Sequence, residues 1–499
     1  METKMNKYTR ITTIILIFFT AVLFLQSGCA VNPVTGKKEI MLISESMEIN
    51  MGKEIDRGLR MEYGIYDDPQ LNDYVAEVGQ EMVPYCHRPH LQYHFAILDT
   101  QVENAFAAPG GYIYVTRGLM AMLNSEAELA TVLGHELGHV NARHSAQQMT
   151  RAILFELGIA LASELSKDFR KIAPISMIAT QLLFLKYSRD NEYQADALGI
   201  EYSLKTGYSA YEMVNFFTSL QRLTESQGGP GLPNFLSTHP LTPKRIARVK
   251  ELLQVEENSR PGGLGQLKVE HNSHINRLNG LIYGMNPRQG YIQGSMFYHP
   301  EMRFYFMIPS GWKVDNTPLQ VTMASADGKA VILLKAENTT EGLDGYTQKM
   351  MKELTNPTVI QQGYRYVNGL NAFHTLASMV NQEDSGEGQS NAPLNVQISC
   401  IRKEGIIFTF FSAAMQSDFP SYQYAINNTI NSFRNLTDSR YLQRRPSRLS
   451  IRRVNGAQTL SSFLNMLGIP QQSWNQIAII NGMDLNQQLA ANQLVKIVN

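Results

Sequence analysis

This sequence contains little cysteine and has no excess of charge of either sign. Only three of its 499 residues are cysteine, too few for a disulfide-dense scaffold or an array of thiolate zinc fingers. Lys plus Arg and Asp plus Glu both number 44, so no positive field attracts nucleic acid and no nucleic-acid partner is expected. Hydrophobic residues make up 43% of the chain, which indicates packed globular domains, about three at roughly 150 residues each.

Long apolar runs are also scarce, and the clearest one lies at the N-terminus. Residues 11–25 are apolar apart from threonines and follow three basic residues, an arrangement typical of a secretory signal and short for a membrane span of about 20 residues. Residues 25–29 (LQSGC) then resemble a bacterial lipobox. We therefore expect residues 1–28 to be a signal peptide and Cys29 to be lipidated. The alternative is an uncleaved N-terminal anchor, and the rest of the chain is exported in both cases.

The strongest chemical signal is the pentapeptide HELGH at residues 135–139. A capping box at residues 125–128 starts a helix ahead of it, so His135 and His139 lie four residues apart on one helix face. Two imidazole nitrogens suit Zn²⁺, and Glu136 is placed to take a proton from a water on the metal. The pattern predicts one Zn²⁺ per chain.

A second helix offers a third ligand. Within residues 190–196 (DNEYQAD), Glu192 and Asp196 are also four residues apart. Glu192 completes the ligand set, and Asp196 can accept the second N–H of a ligand histidine and fix its tautomer. The alternative, a solvated acidic face, is disfavoured by the presence of HELGH. His144, nine residues after His135, is predicted to be structural.

Together these motifs resemble the gluzincin zinc metallopeptidases of the BepA/HtpX type, in which HELGH is followed about fifty residues later by an acidic motif such as NEYQAD. Residues 104–116 (NAFAAPGGYIYVT) are similar to the family's strand beside the active cleft. Residues 32–36 (NPVTG) resemble the mature N-terminal stretch of its exported lipoprotein members, and residues 237–240 (STHP) its late His-Pro element. The resemblance covers roughly residues 31–253.

The resemblance implies a zinc-dependent endopeptidase that hydrolyses unfolded or misassembled envelope proteins at the periplasmic face of the outer membrane. Glu136 would act as general base and then acid. The strand Tyr112–Thr116, through Tyr112, Ile113, Tyr114 and Val115, would pair with an extended substrate by main-chain hydrogen bonds. The alternative is a non-proteolytic chaperone or assembly scaffold with a silent zinc site. A complete HExxH motif favours catalysis, because a scaffold has no need of the base.

His239 has three interpretations. In BepA-like relatives the matching histidine can occupy the open zinc position and hold the enzyme latent, which would make His239 a fourth ligand. It would otherwise stabilise an oxyanion or pack behind Pro240. Residues 226–233 (SQGGPGLP), just before it, are rich in Gly and Pro and suit a hinge. Latency is the favoured interpretation.

The whole chain is predicted to be a multidomain α+β protein. Paired strand patterns around Asp327-Gly328 and residues 403–405 indicate an antiparallel sheet. The expected segments are a signal peptide (1–28), a mainly helical zincin-like peptidase domain with a small sheet (29–255), a linker (256–294), an antiparallel sheet with a helix (295–436), a basic linker (437–453) and a small βααβ module (454–499).

The final module resembles LysM modules, which implies peptidoglycan as a partner; a packing role is the alternative. The sequence also leaves open whether Cys86 and Cys400 form a disulfide, because spacing alone cannot place two thiols within bonding distance.

Overall fold

The computed structural model describes residues 29–162, 186–226, 234–260, 262–354, 356–379 and 393–499. The predicted signal peptide, residues 1–28, and nearly all of the predicted hinge, residues 227–233, lie outside the described residues. The chain divides into two compact units. The first comprises residues up to 60, 65–281 and 448–499, and the second comprises residues 61–64 and 282–447.

Residues 29–281 build most of the first unit. Its strands here are β1 (Cys29–Val31), β2 (Lys38–Ile40), β3 (His94–Leu98), β4 (Ala105–Ala108) and β5 (Tyr112–Thr116). Its helices are α1 (Glu45–Glu62), α2 (Pro69–Met82), α3 (Arg117–Met122), α4 (Glu126–Asn141), α5 (His144–Ala162), α6 (Arg189–Lys205), α7 (Glu212–Ser226), α8 (Asn234–Thr238), α9 (Pro243–Ser259) and α10 (His271–Arg277). The expected linker at 256–294 therefore begins inside α9 and contains α10, because Leu253 and Ile275 are core residues.

Helices α4 and α6 pack closely enough to bring their two motifs together. Helix α4 begins after Ser125, whose Oγ accepts from the Glu128 amide at 3.0 Å, as the capping box predicts. A side chain at Gly134 would meet the Gly199 backbone at 3.1 Å, and one at Gly138 would meet Ala195 Cα at 3.1 Å. Small residues at this crossing are thus what allow the HELGH helix to lie against the acidic helix.

The small sheet of the first unit corrects one prediction. Its strand order is β3-β5-β4, with β5 parallel to β3 and antiparallel to β4. Both edges of β5 are therefore occupied, and all five of its residues are buried. The expectation that Tyr112, Ile113, Tyr114 and Val115 pair with a substrate is wrong, because a central strand has no free main-chain groups to offer. Strand β4 is the outer strand on the side facing α4.

Residues 282–447 form the second unit. Its elements are β6 (Ile282–Tyr283), β7 (Tyr291–Gln293), β8 (Met296–His299), β9 (Phe304–Met307), β10 (Lys313–Asn316), β11 (Gln320–Ala324), β12 (Ala330–Asn338), α11 (Leu343–Lys352), β13 (Thr358–Val367), β14 (Leu370–Met379), β15 (Leu394–Lys403), β16 (Ile406–Met415), α12 (Phe419–Asn431), β17 (Arg434–Asn435) and α13 (Ser439–Leu442). Among the described residues they form an antiparallel sheet in the order β10-β11-β12-β16-β15-β14-β13 and a second in the order β17-β9-β8-β7.

The predicted antiparallel character of this unit is confirmed. The two hairpins expected from their turns are β11–β12 and β15–β16. Helix α12 covers one face of the large sheet, with Ile426 and Ile430 buried in the same core as Phe408 and Phe410. Cys400 is a buried free thiol in β15, and Cys86 is a buried free thiol in the first unit, so the two do not form a disulfide.

Residues 448–499 return to the first unit. The C-terminal segment from Ser447 contains β18 (Ser447–Arg453), β19 (Gln458–Thr459), α14 (Leu460–Met466), α15 (Trp474–Ile480), β20 (Gln488–Leu489) and β21 (Leu494–Val498). Strands β18 and β21 pair antiparallel around the two helices, which is the expected βααβ order. The first strand, β18, however, lies in the segment 437–453 that is predicted to be a basic linker. Leu449 of this strand is buried in the core at 1% exposure, and its burial holds the strand in place.

This C-terminal module is packed onto the helices of the first unit. The buried Lys496 ammonium donates to the carbonyls of Ala121 at 2.9 Å and Leu123 at 2.8 Å. Arg222 of α7 contacts Asp484 at 3.1 Å and donates to the Gly482 carbonyl. A packing role is therefore observed, and peptidoglycan binding stays a prediction.

None of the helices in the described part of the chain is both long enough and apolar enough to cross a bilayer.

Candidate metal centre

Four buried side chains converge between α4, α6 and the end of α8. One donor atom from each of His135, His139, Glu192 and His239 lies within 4.8 Å of the other three. The two histidine Nε2 atoms of α4 are 3.0 Å apart. Glu192 Oε1 lies 3.6 Å from His139 Nε2 and 3.0 Å from His239 Nδ1. The predicted ligands and the ambiguous histidine are thus brought to one point.

This donor set fits zinc. Three imidazole nitrogens and one carboxylate oxygen are the ligand types that tetrahedral Zn²⁺ takes in proteins. Both carboxylate oxygens of Glu136 and Nε2 of His239 are buried without a hydrogen-bond partner among the described residues. Buried polar atoms are rarely left unpaired unless an ion or an ordered water satisfies them. Burial and the neighbouring imidazoles hold the pKa of His139 well below its usual range, which keeps the ring neutral, as a ligand must be.

Glu136 lies beside the ligands rather than among them. It follows His135 on α4 and is fully buried, with Oε1 at 3.6 Å from His239 Nε2. Burial raises the pKa of its carboxyl group, against the charges of His239 and His135, which lower it. A raised pKa suits a carboxyl group that has to bind a proton and release it within one reaction.

Arg245 of α9 is the cation that balances the acidic helix. Its Nε and Nη2 contact the two oxygens of Asp196 at 2.6 and 2.7 Å, and its Nη1 lies 2.5 Å from Glu192 Oε2. Burial raises the pKa of Asp196, but the charge of Arg245 outweighs it and lowers the pKa to about 2. Burial also raises the pKa of Glu192, but the charges of His239 and Arg245 outweigh it and lower the pKa. Asp196 and Glu192 are therefore held as carboxylates in a dry site.

The two ligand histidines of α4 are supported differently. His135 Nδ1 lies 3.0 Å from Asp196 Oδ1, where the sequence predicts a partner for that ring. His139 Nδ1 instead lies 2.8 Å from His144 Nδ1, and His144 Nε2 lies 3.1 Å from Gln194 Oε1. A charged carboxylate therefore orients one ring and a chain of neutral groups orients the other.

The contact of His144 with a ligand was not predicted. Its spacing from His135 places it on another face of a continuous helix, but α4 ends at Asn141. Arg143 then adopts the left-handed conformation, with φ 59°, and α5 begins at His144 with its ring turned back towards His139. No local pattern in the sequence predicts that turn, because Arg is not a residue favoured at positive φ.

His239 is held from several sides. Its ring stacks on Phe235 at 4.7 Å between centroids, and its carbonyl accepts from Arg245 Nη1 at 3.3 Å. Tyr187, also missed by the sequence interpretation, stacks on His139 at 4.0 Å and donates its amide to the Thr238 carbonyl at 3.2 Å. The segment carrying His239 is thus fixed against the ligand set.

We expect His144→Ala to weaken zinc binding by roughly 10- to 100-fold, the usual effect of removing a group that orients a ligand. The ring of His139 would then lose the partner that sets its tautomer. Competition with a chromophoric chelator measures the dissociation constant directly. His87→Ala serves as the control for removing a histidine away from the ligands, because His87 Nδ1 lies 2.7 Å from the Tyr202 hydroxyl. Equal affinities in both variants would contradict the orienting role.

Comparison with known proteins agrees with the site. Residues 69–253 match the family described as peptidase family M48, and zinc as the cofactor is thereby confirmed. The beta-barrel assembly-enhancing protease of Escherichia coli (strain K12) is 29% identical over 213 residues, 41% of this chain and 43% of that protein. The mitochondrial metalloendopeptidase OMA1 of Arabidopsis thaliana is 31% identical over 217 residues, 43% of each protein. This chain spans less than half the length of either.

Similarity to solved structures is weak. Cyanobacterial PsbP from Synechocystis sp. PCC 6803 aligns with 29% of this chain and 96% of its own length, at 10% identity and a TM-score of 0.23. A score this low supports no conclusion about fold or function.

Proposed function

We propose, because residues 69–253 match the family described as peptidase family M48, that this protein is an endopeptidase of the cell envelope that hydrolyses unfolded or misassembled envelope polypeptides. The observation that carries the proposal is the buried carboxyl group of Glu136 beside a His-His-Glu donor set. The relatives named for beta-barrel assembly support the choice of envelope polypeptides as substrates. The lipobox at Cys29 supports the periplasmic face of the outer membrane as the location.

His135, His139 and Glu192 would hold the metal. A zinc ion there would supply a Lewis acid for the scissile carbonyl and would lower the pKa of a bound water. Glu136 would accept a proton from the attacking water and deliver it to the leaving amine, so that its carboxyl group alternates between two protonation states. Arg245 and Asp196 keep Glu192 and His135 in place during the cycle.

The outer strand β4, not β5, is where an extended substrate would pair. Strand β4 packs against α4 and lies at one end of the strand order in the small sheet, but its four residues are buried, so pairing there requires the site to open. An extended peptide adds to such an edge by main-chain hydrogen bonds, which tolerate many sequences.

His239 holds the enzyme latent in this proposal. Its ring lies against both Glu136 and Glu192, and it is completely buried together with Glu136. Burial lowers the pKa of His239, but the carboxylates of Glu192 and Glu136 outweigh it and the pKa is raised. A substrate carbonyl needs the space that the ring fills, so activity requires the segment of α8 and His239 to move away.

We expect His239→Ala to raise the rate of proteolysis several-fold, up to roughly tenfold if the closed form makes up about 90% of the molecules. Cleavage of an unfolded test protein, followed on gels at equal zinc loading, measures the effect, with the exposed His90→Ala as control. A lower rate would indicate a role in stabilising the oxyanion instead, and an unchanged rate a packing role.

Metal removal tests the proposed activity itself. Incubation with a strong chelator followed by desalting should lower cleavage of an unfolded test protein at least tenfold, and about one equivalent of Zn²⁺ should restore it. The His239→Ala protein is included, so that latency does not hide the activity. If zinc-loaded His239→Ala protein cleaves nothing, the chaperone or assembly scaffold is the better account.

A further inference from the structure

The hairpin of β1 and β2 has an inner and an outer face. Its register pairs Cys29 with Ile40, Ala30 with Glu39 and Val31 with Lys38. Glu39 faces inward, where its two oxygens accept from Asn32 Nδ2 at 3.0 Å and from Gln147 Nε2 at 2.8 Å. Because strand residues alternate between faces, Val31, Lys38 and Ile40 share the opposite, outer face.

This outer face is apolar and it continues past the hairpin. Val31 is 55% exposed, Ile40 49% and Leu42 39%, whereas the alternate residues Met41 and Ile43 are buried. Isolated exposed apolar residues are common on protein surfaces. Here, however, every second residue from Lys38 to Leu42 is turned to solvent while the positions between them are turned inward. Val31, Lys38, Ile40 and Leu42 are called the hairpin face below.

The two exposed charges of the hairpin itself are positive, and the first acidic residue after it, Glu45, is paired with Arg88 and His90. Residues 29–44 contain two lysines, Lys37 and Lys38, and one acidic residue, Glu39. Both lysines are exposed, and the carboxylate of Glu39 is paired on the inner side. Apolar side chains with flanking lysines and no outward acid match the boundary of a bilayer with anionic headgroups.

The chain enters this face at the residue proposed to be lipidated. Strand β1 begins at Cys29 itself, so no spacer separates the anchor from the first strand. Two residues of extended chain span about 7 Å, which places Val31 within that distance of the anchored backbone. If residues 1–28 remained as an uncleaved anchor, the chain would still leave the bilayer at this point.

We propose that the hairpin face lies on the phospholipid surface, with Val31, Ile40 and Leu42 inserted at the headgroup boundary and Lys37 and Lys38 on anionic headgroups. The first unit is then held in one orientation on the membrane instead of moving on a tether. The inference rests on the membrane anchoring proposed above, and not on the peptidase activity.

Quenching by labelled lipids tests the orientation in the anchored protein. Ile40→Cys carrying a fluorophore is compared with Val255→Cys, which is 59% exposed in the wild type and lies elsewhere in the first unit. Both are reconstituted into phosphatidylethanolamine–phosphatidylglycerol vesicles that contain a nitroxide lipid. Cys86 and Cys400 are buried and should not react under native conditions. We expect several-fold stronger quenching at position 40; equal quenching at both positions would overturn the proposal.

A second experiment removes the anchor. Residues 29–499 with Cys29→Ser are sedimented with the same vesicles, free of nitroxide. The triple change Val31→Ser, Ile40→Ser and Leu42→Ser should lower binding roughly tenfold or more, while Val255→Ser with Met466→Ser, equally exposed controls, should not. Undiminished binding of the triple variant would refute the hairpin face. Cleavage by the triple variant in the absence of vesicles is measured in parallel, so that a failure of the peptidase proposal is recognised separately.

Discussion

Replacing Glu136 by Gln should lower the rate of peptide hydrolysis by roughly 10²- to 10⁴-fold, the range that a positioned general acid–base group contributes. The amide has nearly the same size and cannot accept a proton from water. Both oxygens of Glu136 lack hydrogen-bond partners among the described residues, so the substitution breaks no hydrogen bond of the fold. Initial rates on an unfolded test protein, measured in the His239→Ala background, give the size of the loss.

Zinc binding provides the control for this variant. Glu136→Gln leaves His135, His139 and Glu192 unchanged, so the zinc content and the thermal unfolding temperature should stay close to those of the parent. If the variant retains the parent's rate while it binds zinc normally, Glu136 is not the base and the proposed mechanism is wrong. Loss of both zinc and activity would instead indicate that Glu136 has a role in building the site.

Arg245→Met should lower the free energy of unfolding by about 3–5 kcal/mol, the usual effect of removing one partner from a buried ion pair. Asp196 and Glu192, each 2% exposed or less, would keep their carboxyl groups in a dry site without a counter-charge. Their pKa values would rise, and protonated Glu192 is a poor metal ligand, so zinc affinity should fall as well. Denaturant unfolding of the metal-free protein measures the first effect, and chelator competition the second.

Arg248→Met is the control, because Arg248 lies on the same helix, is exposed, and has its guanidinium 5.1 Å from the centre of the Tyr193 ring. Arg248→Met should lower the free energy of unfolding by less than about 1 kcal/mol. Arg245→Lys keeps the charge but not the two-pronged contact with Asp196, and should fall between the wild type and Arg245→Met. If Arg245→Met unfolds like Arg248→Met, the guanidinium does not stabilise the acidic helix.

The residues of the metal centre were predictable because their chemistry is local. HELGH needs only helical spacing to place two imidazoles on one face, and residues 190–196 need only the same spacing to place Glu192 and Asp196. The hairpins of the second unit were predictable for the same reason, since a turn and the two flanking strands, with their alternating apolar and polar residues, are formed by consecutive residues. Each of these signals lies within a few residues of sequence.

The residues around those motifs are placed by contacts between segments that are distant in the sequence. Arg245 lies 49 residues after Asp196 and meets it only because α9 packs against α6. His144 reaches His139 only because the chain turns at Arg143. Strand β5 has the pattern predicted for a substrate strand, yet its pairing on both edges leaves β3 and β4 as the outer strands of the sheet.

The sequence by itself therefore determined which residues could carry the proposed chemistry, His135, His139, Glu192 and Glu136, and the antiparallel pairing of the second unit, because helix and strand periods fix which neighbours share a face. Only the tertiary structure decided how that chemistry is held. It assigned Arg245 to the acidic pair, His239 to the ligand set and the C-terminal module, through the buried Lys496, to the first unit. These contacts follow from burial, because a charged or polar group that is removed from water needs a partner close to it in space, whatever the distance of that partner along the chain.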